Sequence, residues 1–483
     1  MLFHSITFLV FLPIVFILYW YITNNNLKLQ NVLILIASYV FYGWWDYRFL
    51  ALIVFSTVVD FICGLQIHKT SIKSKRKLFM CISLIANLGL LGFFKYYNFF
   101  IESFVEAFSN VGVNIEISTL YIILPVGISF YTFQTLSYTI DIYKERLKPT
   151  SDFIAFASFV SFFPQLVAGP IERASNLLPQ FFKKRTFDYA KATDGLRQML
   201  WGFFKKMVVA DNCAQIANDI FNNSDSYNGS TLVIGALMFT FQIYADFSGY
   251  SDIAIGCARL FGFNLRQNFA YPYFSRDFAE AWRRWHISLT TWFRDYLFIP
   301  IIRLWKKHKW VKVPVIFLQF IIIGFWHGAN WTFFYWGLLQ ACYFIPTIYK
   351  KSKKPQTKVV AQGKFFPSPI ELLKVLRVFT LVCFSMIFFR ATSVSQAFGY
   401  IGTIFSSSLF EKIQITSPRT FTTTSILVGI FFLVEWLGRE DQYAIEKIVL
   451  KWKRPLRFVF YYAIIATIFI YKGEPQEYIY FNF

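Results

Sequence analysis

The residues best placed to do chemistry are two histidines. Gly324-Phe325-Trp326-His327-Gly328-Ala329-Asn330 sets one imidazole among small residues in an apolar region, and Trp282-Arg283-Arg284-Trp285-His286 sets another upstream of it. An ionisable side chain at membrane depth is costly unless it faces a cavity or a partner, so each is a functional candidate by default. A neutral imidazole accepts a proton from an attacking hydroxyl near neutral pH, the work of a general base. Gly324, Gly328 and Ala329 are expected to leave space beside the His327 ring, and Asn330 follows closely enough to orient a bound group. His4, His68 and His308 fall near the N-terminus or in lysine-rich loops and read as bystanders.

Other polar groups interrupt apolar segments. After the break at Leu124-Pro125-Val126-Gly127, the residues Gln134, Tyr138 and Asp141 share one helix face. That face either lines a channel or forms a hydrogen-bonded seam between helices. Phe162-Phe163-Pro164-Gln165-Leu166-Val167-Ala168-Gly169-Pro170-Ile171-Glu172-Arg173 reads as a re-entrant or kinked element, because broken helices at membrane depth need buried backbone or a cavity. In Tyr244-Ala245-Asp246-Phe247-Ser248-Gly249-Tyr250-Ser251-Asp252 the two carboxylates lack the spacing of a calcium loop. Asp246 is a channel-lining candidate, Asp252 is expected to cap a following helix, and Gly249 and Gly256 allow close helix contact.

The stretch from Trp282 to Pro300 predicts a single amphipathic helix stopped at Pro300. At ~100° per residue, Trp282, Trp285, His286, Leu289 and Trp292 fall on one arc, while Arg283, Arg284, Arg294 and Asp295 fall on the other. Such a helix suits the membrane interface, where Arg284 and its neighbours would meet phosphates of lipid or of a nucleotide-bearing donor. His286, at the apolar edge of the arc, points into protein.

The elements that hold these residues are membrane helices. Of the 483 residues 56% are hydrophobic, 61 are phenylalanine and only 16% are charged, against roughly 25% charged in an ordinary soluble domain. Apolar runs near the ~20 residues needed to span a bilayer recur along the chain, predicting an all-α polytopic membrane protein with about ten to twelve transmembrane helices plus re-entrant and interfacial ones. The first run has no basic residues before it and no small-residue cleavage pattern after Tyr21, so it is read as the first membrane helix. The net charge of +21 sits in short loops at Lys69–Lys77, Arg303–Lys312, Lys350–Lys358 and Lys447–Arg457. Loops of that kind mark the cytoplasmic side and not nucleic-acid binding. Counting spans back from Lys69 places the N-terminus outside.

The six cysteines are dispersed without a C-x-x-C pair and read as core hydrophobes, with no metal site and no disulfide framework. No P-loop, G-x-S-x-G elbow or H-E-x-x-H is present. No internal repeat is visible, which counts against repeat-built transporters. The chain is expected to form one integral-membrane domain over 1–483, with scaffold helices at 1–118, a catalytic core at 119–349, a flexible basic linker at 350–369 and C-terminal helices at 370–483.

The two histidine motifs, continued by Ile287-Ser288-Leu289 and Trp292-Phe293-Arg294-Asp295-Tyr296-Leu297 after His286 and by Trp331 after Asn330, resemble the membrane-bound O-acyltransferases. More narrowly they resemble the membrane subunit of bacterial alginate O-acetylation systems. The Phe162 and Tyr244 motifs and the terminal Tyr478-Ile479-Tyr480-Phe481-Asn482-Phe483 add to that resemblance, although Asn482 stands where related tails often carry Gln. The resemblance implies a helix bundle around a central funnel, with His327 catalytic and His286 in or near the channel. It implies no bound cofactor, an acyl donor such as acetyl-CoA approached from the cytoplasm, and a polysaccharide hydroxyl reached through an extracytoplasmic SGNH-type transferase. The lipid bilayer would then be the bacterial cytoplasmic (inner) membrane. Two alternatives stand beside it: D-alanyl transfer from a carrier protein to teichoic acid, and a non-enzymatic transporter of a lipid-linked or small substrate.

Overall fold

A computed structural model of the chain describes residues 1–113, 117, 119–305, 308–349 and 358–479. Among these residues the regular structure is helical, with no strand. They group into two compact units, Met1–Ala192 with Ala258–Leu265, and Thr193–Cys257 with Arg266–Phe483. Residues 350–357 of the expected linker and Asn482 of the tail lie outside the described residues.

Among the described residues, six helical stretches are long and apolar enough to cross a bilayer: Leu27–Lys69, Lys73–Ser109, Gly229–Leu260, Pro369–Arg390, Pro418–Leu437 and Arg454–Tyr471. Ile6–Ile22 and Lys312–His327 are apolar but shorter. The first stretch is broken at Asp46, whose backbone is extended and whose side chain accepts the Arg48 N–H, leaving two helices of 20 residues each. The apolar runs near 119–140 and 152–171 carry only the shorter helices Ile128–Tyr143 and the nine-residue Phe153–Ser161. Pro164, Gly169 and Pro170 prevent the second from continuing, and Phe162 to Ile171 runs on as buried irregular backbone.

In the first unit, polar side chains pin the helices together. Asp60 on Leu50–Lys69 accepts from Ser83 (2.5 Å), Asn87 (2.9 Å) and Thr139 (3.2 Å), which joins three helices through one buried carboxylate. Gln134 donates to the Phe159 carbonyl and accepts from Gln165 at 2.7 Å, tying Ile128–Tyr143 to the kinked segment. Amide and hydroxyl pairs of this kind cost little in an apolar interior only when every member is satisfied.

In the second unit, the part of Tyr189–Phe203 from Thr193 on runs through a π-helical segment, Phe204–Ala210, into Asp211–Asn222. It lies against the 32-residue helix Gly229–Leu260, and the approach is set by glycine. A Cβ on Gly202 would stand 2.6 Å from the Gly249 carbonyl, and one on Gly256 would collide with the Gly195 carbonyl. Gly249 and Gly256 thus do what their spacing predicts. The described end of the expected linker is not a loose tether. Val360 and Ala361 are buried, their carbonyls accept from Arg439 at 3.0 and 2.8 Å, and Trp436 donates to Phe365 at 2.9 Å.

Lys312–His327 and Trp331–Tyr349 form a tight hairpin, and here glycine closes space that the sequence was expected to leave open. A Cβ on Gly324 or Gly328 would run into the backbone or ring of Phe333, and one on Gly337 would sit 2.5 Å from the Phe320 carbonyl. Replacing Gly337 with Ala should therefore overpack the hairpin by about 1–3 kcal/mol, read as a lowered unfolding midpoint of the purified protein in detergent. An unchanged midpoint would show that the hairpin can spread without cost.

Candidate active site

His327 is the last residue of Lys312–His327, at the tight turn into the next helix. It is buried, with its ring against Trp326 (centroids 5.1 Å), Trp336 (5.2 Å, edge-on) and Phe389 (5.1 Å). Asn330 is placed differently from its expected role. Its side chain accepts the Thr332 N–H at 2.9 Å and donates to the Thr392 carbonyl at 3.1 Å, which caps the following helix and ties the turn to a loop.

The expected single helix over 282–300 is in fact a broken one. Phe278–Arg284 is capped by Asp277, whose carboxylate accepts the Glu280 N–H, and it ends at Trp285. His286 then adopts a left-handed backbone at φ 43°, rare for a residue with a Cβ, before Ile287–Phe293 resumes. The Ile287 N–H donates to the Asn268 carbonyl at 2.9 Å, and this long-range bond pulls the chain out of helical register. Pro300 does not stop a helix. It lies inside an unbroken helical stretch, in which Ile287–Phe293 passes through the π-helical Arg294–Phe298 into Ile299–Leu304.

That break turns His286 inward. The side chain is fully buried, with Phe247 edge-on at 4.6 Å and Trp326 at 5.8 Å between ring centroids. Trp326 therefore contacts both histidines. The Asn268 side-chain oxygen lies 3.0 Å from His286 Nδ1. Burial pushes the imidazole well below its ordinary range, so the ring is neutral near pH 7. Arg284 is turned to structure and not to a phosphate, donating to Glu280 (3.1 Å) and the Ala270 carbonyl (3.2 Å), while Arg276 holds the same Glu280.

Two cavities flank these residues. An apolar one is lined by Tyr273, Trp282, Trp285, Trp336, Val382 and Met386, so that it touches the Trp336 ring packed on His327 and the Trp285 that precedes His286. A smaller, polar one is lined by Lys205, Asp252, Asn268, Tyr271 and Glu435. Its charges are paired: Lys205 lies 2.8 Å from Asp252 and 3.3 Å from Glu435. The next residue, Lys206, lies 2.7 Å from Asp246 and 2.9 Å from Asp211. Asp246 also accepts the Ile479 N–H at 2.8 Å. Asp246 and Asp252 are both internal to Gly229–Leu260, so Asp252 caps nothing; it neutralises a buried lysine.

The structure brings His286, His327 and Trp285 into one aromatic cluster, with Asp246 on the helix that backs it. Gln134, Tyr138 and Asp141 belong to the first unit, where their polar groups are engaged locally: Gln134 in the seam described above, Tyr138 with the Thr150 N–H (3.3 Å), and Asp141 with Arg146 (3.7 Å). Sequence reasoning passed over Asn268, Lys205, Lys206 and Glu435. The lysines did carry a signal, since Trp201-Gly202-Phe203-Phe204-Lys205-Lys206-Met207-Val208-Val209 is an apolar run with two charges in it. Asn268 carried none.

With this geometry in hand, comparison with known proteins is decisive. The profile of the MBOAT, membrane-bound O-acyltransferase family, matches residues 116–357. The chain belongs to the membrane-bound O-acyltransferase family. It is 35% identical to the "Probable alginate O-acetylase AlgI" of Pseudomonas syringae pv. tomato, over 92% of this chain and 83% of that one. It is 32% identical to the peptidoglycan O-acetyltransferase of Helicobacter pylori, over 98% and 95%. Its identity to the teichoic acid D-alanyltransferase of Bacillus subtilis is 29%, over 55% and 68%. This chain is thus a multi-pass membrane O-acyltransferase, which displaces the transporter reading.

The buried charge pairs beside the site make the fold sensitive to the loss of either partner. Removing one partner of a buried pair costs about 3–5 kcal/mol, because the other charge is left uncompensated. Lys205→Met should lower the unfolding midpoint sharply, and adding Asp252→Asn should recover part of the loss. A single variant as stable as the wild type would mean that Asp252 and Glu435 are not charged together.

Proposed function

We propose that this acyltransferase moves an acetyl group from a cytoplasmic thioester donor, acetyl-CoA, across the bacterial cytoplasmic membrane toward a hydroxyl of a cell-envelope or exported polysaccharide. The observation that carries the reading is similarity to O-acetylating relatives along nearly the whole chain, whereas similarity to the D-alanyltransferase of Bacillus subtilis covers about half of it. An extracytoplasmic SGNH-type transferase would complete delivery to the polymer.

His327 serves as the general base. The hydroxyl oxygen attacks the thioester carbonyl while its proton passes to the imidazole, the C–S bond breaks, and the proton is returned to the departing thiolate. His286, neutral and on the far side of Trp326, orients the reacting groups. The apolar lining beside Trp336 is of the chemistry that would receive a short acyl chain. Tight packing by Trp326, Trp336 and Phe389 supports this assignment because it limits water around the imidazole and fixes its plane.

General acid–base catalysis contributes about 10²–10⁴-fold, so His327→Ala should lose at least two orders of magnitude of thiol release from radiolabelled acetyl-CoA by protein in nanodiscs, with expression intact. Wild-type turnover in that variant would overturn the role. Should the wild type release thiol only from an acidic carrier protein loaded with D-alanine, the donor is a carrier and not coenzyme A.

A further inference from the structure

Asn268 lies in the loop after Gly229–Leu260, is 1% exposed, and makes more contacts to the His286 segment than any motif suggested. Its side-chain oxygen faces the backbone N–H of Ser288 at 3.3 Å, the Ser288 hydroxyl at 2.9 Å and His286 Nδ1 at 3.0 Å. Its side-chain nitrogen donates to the Ser251 hydroxyl at 3.1 Å. A backbone N–H can only donate, so the atom facing Ser288 must be the amide oxygen, whichever way such amides are otherwise assigned. An oxygen can only accept, so His286 Nδ1 must carry the hydrogen.

We propose that Asn268 is a positioning residue for acyl transfer, holding His286 in the tautomer with hydrogen on Nδ1 so that Nε2 presents its lone pair to the reacting groups. The inference rests on the reading of His286 as part of the catalytic machinery. Three features fix the arrangement. The Asn268 carbonyl accepts from Ile287 and so holds the left-handed backbone of His286. Phe247 meets the imidazole edge-on and Phe269 lies stacked on it, with centroids at 4.6 and 6.3 Å, which resists rotation of the ring. Ser251 anchors the amide from Gly229–Leu260, the helix whose Asp252 is bound to Lys205. A neutral amide beside Nδ1, unlike a carboxylate, does not draw a second proton onto the ring, which agrees with the depressed basicity that burial gives His286.

The test compares full-length wild type, His286→Ala, Asn268→Ala and Asn268→Asp in nanodiscs, measuring thiol release from acetyl-CoA against donor concentration and pH. Asn268→Ala should lower kcat about a hundredfold with KM for the donor little changed. Asn268→Asp keeps the shape and the accepting oxygen, and it adds a charge that favours imidazolium. It should stay folded and active at high pH, with the acid limb of its pH profile moved up by a unit or more. A purely structural role predicts lower stability with no such move. If both Asn268 variants keep the wild-type kcat and profile while His286→Ala is inactive, the positioning role fails and the reading of His286 survives. Wild-type turnover by His286→Ala would overturn both. Should Asn268→Ala not fold, the profile of Asn268→Asp decides alone.

Discussion

A charge inside an apolar helical interior must be answered by another charge, and most of the second unit is arranged by that demand. Lys205 and Lys206 are consecutive and both buried, a position that adjacent residues ~100° apart on a helix reach only if both sides are enclosed. They lie in the π-helical Phe204–Ala210, where the extra residue per turn widens the helix. Lys205 takes Asp252 and Glu435; Lys206 takes Asp246, Asp211 and the Gln476 carbonyl. Four segments distant in sequence are fastened at one level. The contact is possible because Gly202 and Gly249 let the two helix backbones touch.

The same fastening reaches the site. Asp246 and Asp252 bracket Phe247 and Ser251 on one helix; Phe247 packs against the His286 ring, and Ser251 holds Asn268. Moving that helix would shift the ring and its hydrogen-bond partner together. On the other side, His327 is fixed by a hairpin whose glycines allow Phe333 to fill the gap, and Phe333 in turn meets Phe389, a neighbour of His327, at 5.0 Å. Each histidine is thus held by a different means, one by paired charge acting through a helix and the other by close backbone packing.

What could be read from the sequence follows from what is local. The helical, membrane-embedded character shows in apolar runs, and the burial of His286 and His327 follows from their setting among apolar residues. Helix breakers at Pro164, Gly169 and Pro170 announce the irregular segment. The break at Trp285–His286 could not be read, because it is imposed by Asn268 from a loop packed against it, and without that partner the apolar arc of Trp282–Pro300 is a sound helix pattern. The glycines around His327 could be recognised as spacing but not as filled spacing, since the ring that fills them comes from the next helix. The partners of Lys205 likewise lie 47 and 230 positions along the chain (Asp252 and Glu435), so the sequence shows that two lysines need answers without showing which carboxylates give them.

The two cavities differ in chemistry, and an aromatic partition divides them. Trp285 and Tyr273 face the apolar space, whereas Phe269 and Tyr244 face the polar one. Across that wall Phe269 meets Trp285 edge-on at 5.2 Å and Tyr244 meets Tyr273 at 4.8 Å. Water is the competitor of every acyl acceptor, since an activated acyl group that meets it is lost to hydrolysis. The aromatic wall separates Lys205 and Asp252 from the apolar cavity lined by Trp285 and Trp336. The histidines lie along that screen, His286 joined to the polar side through Asn268 and His327 to the apolar side through Trp336, with Trp326 between them. On the function proposed above, such an arrangement would let hydrogen bonding fix the proton on one ring while the acyl chain stays dry beside the other.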